Sequence, residues 1–300
     1  MAGEGERGAQ AIGETETRRV RVRRARDDRV AEVDDDLAVE EPLEIRVGRA
    51  EERGAAPRSL SVTMRTPGHD FELAAGFLFT EGLLRGSEDL ASVEYARSHV
   101  RGSPENVVDV ILRRGTPFDP SRFARNFYTT SSCGVCGKAS LDAIRVRVRH
   151  PPAPGRPRVD AGVLAQLPDR LREGQALFTV TGGLHAAGRF DAAGRLLAVR
   201  EDVGRHNAVD KIVGERLLAD QVPLSDEILA VSGRASFEIL QKAAVAGFPM
   251  VVAVGAPSSL AVDTAREYGM TLVGFARFGG FNVYADEGRV AHRALARSRS

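Results

Sequence analysis

The chain has 300 residues, 43% hydrophobic and 28% charged, with a formal net charge of +1. This size and balance suit a globular protein of one or two domains with a sizeable core, and a charge so close to zero argues against nucleic acid as the main partner. No apolar run approaches the roughly 18 residues of a membrane-spanning helix.

Residues 1–17 are Gly, Glu, Thr and Arg without hydrophobic periodicity and read as a disordered tail. They lack the apolar stretch and cleavage site of a signal peptide, so the expected location is the cytoplasm. From Arg18 the pattern changes. "RRVRVRR", "PLEIRV" and "LSVTMRT" alternate like half-buried strands, and "DFELAAGFLFTEGLL" has helical spacing, with Phe71, Ala74, Ala75, Leu78 and Phe79 on one side. Two further strands, "ASVEYARS" and "NVVDVILRR", complete a small α+β unit over residues 18–150.

The only two cysteines, Cys133 and Cys136, follow in "TTSSCGVCGKASL". A reducing cytosol keeps thiols free, so the pair is not expected to be a structural staple; redox exchange, metal binding and sulfur transfer stay open. A thioredoxin-like couple needs its motif between a strand and a long helix, whereas this one follows the polar "RNFYTTSS". A zinc site needs four ligands, and the chain has no second Cys pair, so no permanently bound metal is expected. Sulfur transfer needs one exposed thiolate. Lys138, one of only three lysines, favours it with its charge, and Gly134 and Gly137 relax the backbone around Cys136.

"PPAPGRP" at 151–157 reads as a linker, and residues 158–300 as a second domain. A helix is expected near 161–173, then a hairpin of "HAAGRFD" and "RLLAVRED" turning at Ala192 to Gly194. "REDVGRHNAVDK" concentrates Glu201, Asp202, Arg205, His206, Asn207, Asp210 and Lys211 at a strand-to-helix junction, which favours a site over a merely charged helix start. "EILAVSG", "MVVAVGA" and "TLVGFAR" are continuous apolar strands separated by helices at about 235–246 and 258–268, the pattern of a covered parallel sheet, and "FNVYAD" turns back along it. The predicted fold class is therefore α/β, a three-layer domain with a mixed sheet preceded by the small α+β unit. The loops after the parallel strands must share one edge. They carry Ser232, Gly233 and Arg234, then Gly255, Pro257 and Ser258, then Arg277, Gly279 and Gly280. Two helix starts and two arginines there favour an anionic, nucleotide-bearing ligand.

"SSCGVCGKASL", "FTVTGGLHAAGRFD", "REDVGRHNAVDKIVG", "VSGRASFEILQKAAVAGFPMVVAVGAPSSLAVDTA" and "LVGFARFGGFNVYA", with "VEEPLEIRV" and "MRTPGHDFELAAGFLFTEGLL" before them, resemble the formate dehydrogenase accessory sulfurtransferase family from about residue 36 to 290. The resemblance implies a carrier that takes sulfane sulfur from a cysteine desulfurase as a persulfide and passes it to the molybdenum bis(molybdopterin guanine dinucleotide) cofactor, its cargo, for formate dehydrogenase. It implies that Cys133 bears the persulfide with Cys136 beside it. The segment Phe275, Ala276, Arg277, Phe278, Gly279 and Gly280 would contact the guanine nucleotide part of the cofactor, joined in our reading by Ser232, Gly233, Arg234 and His206. A cytidine deaminase-like fold for the second domain and a homodimer are implied as well. Deaminase activity is not expected: zinc deaminases need a His-x-Glu or Cys-x-Glu helix start and a later Pro-Cys-x-x-Cys, and here the helix starts read "RHNAVD" and "SGRASF". The rival from another class is a non-catalytic cofactor chaperone.

Overall fold

A computed structural model describes residues 15–52, 54–96, 104–118 and 148–291. The chain opens with a hairpin, β1 (Thr17–Arg26) and β2 (Arg29–Ala38), that forms a two-stranded sheet of its own. β1 begins at Thr17, one residue ahead of the expected boundary. β2 was not expected at all: its "VDDD" run hides the alternation, and its acids instead pair across the hairpin with arginines, as in Arg19–Asp36 at 3.1 Å. Next come β3 (Glu41–Arg49), β4 (Arg58–Arg65), helix α1 (Asp70–Thr80), β5 (Leu90–Tyr95) and β6 (Val107–Leu112). These strands form a mixed sheet ordered β4-β3-β6-β5, with β3 and β6 parallel.

After the short β7 (Val159–Asp160) follow α2 (Ala161–Glu173), α3 (Ala176–Thr181), the hairpin β8 (His185–Phe190) and β9 (Leu196–Asp202), and α4 (Arg205–Leu218). Then β10 (Ile228–Val231), α5 (Phe237–Ala246), β11 (Met250–Ala253), α6 (Ser259–Glu267), β12 (Thr271–Arg277), β13 (Gly280–Ala285) and β14 (Val290–Ala291) complete the fold. The main sheet runs β13-β12-β11-β10-β8-β9, with β10, β11 and β12 parallel and the other pairings antiparallel, so the predicted mixed α/β sheet is present.

Strand alternation divides the core in two. Ala186, Ala230, Val252 and Val273 face α2, whose Leu164, Leu167 and Leu171 recur at helical spacing. Ala187, Leu229, Val251 and Leu272 face the opposite layer, where α4 and α5 bury Ile212, Val213, Ile239 and Leu240. The second cluster does not stop there. It continues through α1 into Leu43, Ile45, Val108 and Val110 of the four-stranded sheet, so the two halves share one continuous core.

The join is the crossing of α1 and α4, and glycine permits it. A Cβ on Gly76 would lie 1.9 Å from the Asp210 carbonyl oxygen, and one on Gly214 would lie 1.8 Å from that of Glu72. No side chain fits at either point. Around the crossing, buried polar groups are matched. Lys211 Nζ lies 2.8 Å from Asp202 and donates to the Thr66 carbonyl at 2.9 Å. Asp202 also accepts from the Thr66 N–H at 3.2 Å, and Asn207 donates to the Met64 carbonyl at 2.8 Å. Lys242 Nζ reaches Asp210 at 3.0 Å, Glu81 at 2.9 Å and the Thr80 hydroxyl at 3.0 Å. Burial opposes the charge on Lys242, but Asp210 and Glu81 outweigh it and its pKa is raised.

Residues 151–157, read from their prolines as a linker, are tied down by one side chain. Arg289 is fully buried and donates to the carbonyls of Arg156 (2.7 Å), Ala153 (2.8 Å) and Gly269 (2.8 Å), while β14 pairs in parallel with β7. Among the described residues no helix is long and apolar enough to cross a membrane.

Candidate functional site

The carboxyl ends of β10, β11 and β12 step into one another. Gly255 N–H donates to the Gly233 carbonyl at 3.0 Å, and Phe275 N–H donates to the Gly255 carbonyl at 3.1 Å. Ser258 N–H donates to the Ala235 carbonyl at 3.0 Å. The three loops predicted to share an edge are thus joined by their backbones. The middle of the series is tight: a Cβ on Gly255 would lie 3.0 Å from both the Gly233 carbonyl oxygen and the Arg234 side chain.

The residues expected at this edge play unequal parts. Ser232 is occupied in the framework, its Oγ accepting from the Ala186 N–H at 2.8 Å. Ser258 is a helix cap, accepting from the Ala261 N–H at 3.2 Å. Ala276 is fully buried and belongs to the core beneath the edge rather than to its surface. Arg234 is exposed, and among the described residues it has neither an ion pair nor a hydrogen bond. The turn from β12 to β13 is an aromatic platform. Phe275 and Phe278 both take positive φ, 52° and 55°, a conformation costly for aromatic residues, and Phe278 is 96% exposed. The Arg277 guanidinium lies between them, 5.6 Å from one ring and 5.8 Å from the other. Gly279, at φ 73°, closes the turn and Gly280 begins β13.

The cluster in residues 200–211 divides, and here the sequence reading needs correction. Glu201 accepts from the Leu177 and Phe178 N–H groups at the start of α3, and Asp202, Asn207, Asp210 and Lys211 belong to the join between the halves. Only Arg205 and His206 are left for the edge. The Arg205 stem passes over Gly233, where a Cβ would lie 3.8 Å from its Cδ and 3.4 Å from His185 Nδ1. Arg205 Nε is buried without a hydrogen-bond partner among the described residues. His206 Nε2 lies 3.4 Å from Ser236 Oγ. Burial, then the charges of Lys242 and Arg205, push the His206 pKa down to about 4, against the pull of Glu238 and Glu81. Burial and Arg205 also lower that of His185. The edge therefore offers three cations, Arg205, Arg234 and Arg277, beside two neutral imidazoles and two aromatic rings.

Sequence reading named Arg205 within the 200–211 cluster but did not single out Ser236, the neighbour of His206 Nε2. "SFE" resembles a helix start whose serine caps the helix, yet the Ser236 side chain makes no cap bond. Cys133, Cys136 and Lys138 lie outside the described residues. Among the described residues no three His, Cys, Asp or Glu side chains gather as metal ligands.

Comparison with known proteins agrees along nearly the whole length. The FdhD/NarQ family matches residues 38–291. The chain is 54% identical over 281 residues to the sulfur carrier protein FdhD of Streptomyces coelicolor, covering 93% of this chain and 97% of that one. It is 49% identical to the protein of the same name from Mycobacterium tuberculosis (90% and 97%) and 41% identical to that of Sulfurisphaera tokodaii (92% and 99%). The crystal structure of a candidate formate dehydrogenase accessory protein from Desulfotalea psychrophila has the same fold, with a TM-score of 0.68 at 23% identity over 92% of this chain and 99% of that one.

Proposed function

The chain belongs to the FdhD/NarQ family, and from that premise we propose that it is a cytoplasmic sulfur carrier that serves formate dehydrogenase. Cys133 accepts sulfane sulfur from a cysteine desulfurase: its thiolate attacks the terminal sulfur of the donor persulfide, a new S–S bond forms, and the donor thiolate leaves. Cys136, three residues on, assists. The cargo that receives the sulfur is the molybdenum bis(molybdopterin guanine dinucleotide) cofactor, and the protein works as a homodimer.

The observation that carries the cofactor half is the sheet edge, where Arg205, Arg234 and Arg277 have no carboxylate partner among the described residues and the exposed Phe278 ring stands beside them. Unpaired guanidiniums suit a diphosphate, glycine backbones allow close approach, and an aromatic face suits a purine. Ser232, Gly233, His206 and residues 275–280 line this reading.

Two measurements test it. After incubation with desulfurase and cysteine, intact mass should rise by about 32 Da, one sulfur atom, in the wild type and not in Cys133→Ser. Loading of that variant removes Cys133 from the role, and no loading of either protein favours the non-catalytic chaperone. Guanosine diphosphate should bind in calorimetry, and Arg277→Ala should bind it about 10- to 100-fold more weakly if the lost contact is a charge-assisted hydrogen bond. Absence of binding to the wild type sinks the sheet-edge assignment.

A further inference from the structure

The hairpin of β1 and β2 stands apart from both cores. None of its residues belongs to either hydrophobic cluster, and its two strands form a sheet with no third member among the described residues. A two-stranded ribbon is marginal in water by itself; a third strand or a packed face stabilises it. α3 packs against β2. β1 is therefore the outer strand, and its far backbone edge has no strand partner among the described residues. Natural sheets protect such an edge with a proline, a bulge, a covering element or charge. β1 has no proline, and its register with β2 runs unbroken from Thr17↔Ala38 to Arg26↔Arg29. Its charge is of one sign, with six arginines and no acid in ten residues. β2 answers part of it, pairing Asp36 with Arg19, Glu32 with Arg21 and Asp35 with Arg24. Arg18, Arg23 and Arg26 are exposed and have no ion pair or hydrogen bond among the described residues. Because side chains alternate, Arg19, Arg21 and Arg23 share one face, while Val20 and Val22, flanked by Arg18 and Arg24, share the other.

We propose that β1 takes an extended acidic segment of another protein as a third strand, one in which acidic and apolar residues alternate. Its backbone completes the ladder, its acids meet the arginines that β2 leaves over, and its apolar residues extend the strip of Val20 and Val22. β2 shows the pattern that fits, since its Asp36, Asp34 and Glu32 lie opposite Arg19, Arg21 and Arg23. A second copy of this chain does not fit. A closed two-fold pairing through this edge would set β1 against β1, arginine against arginine. Pairing β1 with the acidic β2 of another copy leaves the same edge open again and does not close. The arginine row thus keeps copies apart while admitting a strand of opposite charge. This surface is independent of the sheet edge and of nucleotide binding.

The probe is a capped octapeptide of alternating glutamate and valine, added to the full-length protein. It should bind, more weakly as salt is raised. Hydrogen exchange read by NMR should then show new protection at every second amide of β1, those turned away from β2, an alternation that plain charge attraction does not produce. Arg18→Gln, Arg23→Gln and Arg26→Gln together should weaken binding about tenfold. None of the three is paired within the hairpin, so the β1 amides that face β2 should keep their protection in this variant. With glutamate at the same three positions, the protein should prefer an octapeptide of alternating lysine and valine. Failure of the wild type to bind the glutamate–valine peptide, or binding without the alternating protection, overturns the proposal. So does equal affinity of the wild type and the triple glutamine variant. Octaglutamate or a mixed-sequence RNA that binds as tightly as the peptide overturns it as well, because the edge would then read charge alone.

Discussion

The crossing of α1 and α4 and the free edge of the main sheet draw on the same short stretch, residues 200–211, and treat its polar groups in opposite ways. At the crossing Lys211 meets Asp202 and Lys242 meets Asp210 and Glu81, beside a space too tight for a Cβ. At the edge, three arginines lack carboxylate partners among the described residues and an aromatic ring stands almost wholly in solvent. Helical phase divides them. Asn207, Asp210, Lys211 and Gly214 fall at i, i+3, i+4 and i+7, one stripe along α4 that faces α1, and Arg205 and His206 lie off it. A polar cluster in a sequence therefore marks a site only after its periodicity has been removed.

If the contrast holds, damage at the crossing should cost folding, and damage at the edge should cost binding alone. The largest effect is expected from Gly76→Ala or Gly214→Ala. The new methyl overlaps a backbone carbonyl that cannot step aside, so urea unfolding should show a loss of about 4 kcal/mol or more, with nucleotide binding lost as well. Next is Lys242→Met, which leaves Asp210 buried without its cation and should cost about 3–5 kcal/mol; adding Asp210→Leu should recover much of the loss. A double variant no more stable than the single one would show that the ion pair is not the reason for the cost.

Acid should probe both regions in turn. The His206 pKa is about 4 in the folded chain against an ordinary value near 6.5. Between those values the unfolded chain binds a proton that the native one does not, so stability should fall as pH drops through that window. His206→Gln should flatten that slope. Glu72 follows lower down. Burial opposes its charge, but Arg200 and His69 hold its carboxyl at about 2, and its contribution, complete above about 4.3, is lost as pH falls toward 2. A slope unchanged in His206→Gln would mean that another group titrates there. The smallest effect on folding belongs to Phe278→Gly, expected to lie within about 0.5 kcal/mol because relief of the positive φ offsets added chain entropy, while nucleotide binding weakens about tenfold.

Much of the fold was legible. The parallel strands show as unbroken apolar runs, α1 as a helical stripe, and the hairpin at residues 185–202 as alternation around a turn, because each is organised by burial, which sequence period reports directly. The convergence of three loops followed from parallel strand order alone. Features set by pairs distant in sequence were not legible. β2 carries its information in charges paired across the hairpin, and the glycine crossing lies in two residues 138 apart in the chain.

Arg289 has a consequence for how the chain is made. Its guanidinium closes over carbonyls 133 and 136 residues upstream, on the stretch where the chain returns from the segment carrying both cysteines. During synthesis those carbonyls have no such partner until nearly the last residue of the matched region has left the ribosome. The main sheet can assemble earlier, strand by strand, but the downstream anchor of the cysteine segment cannot. Emergence of Arg289, rather than completion of the sheet, is therefore the event that closes that anchor.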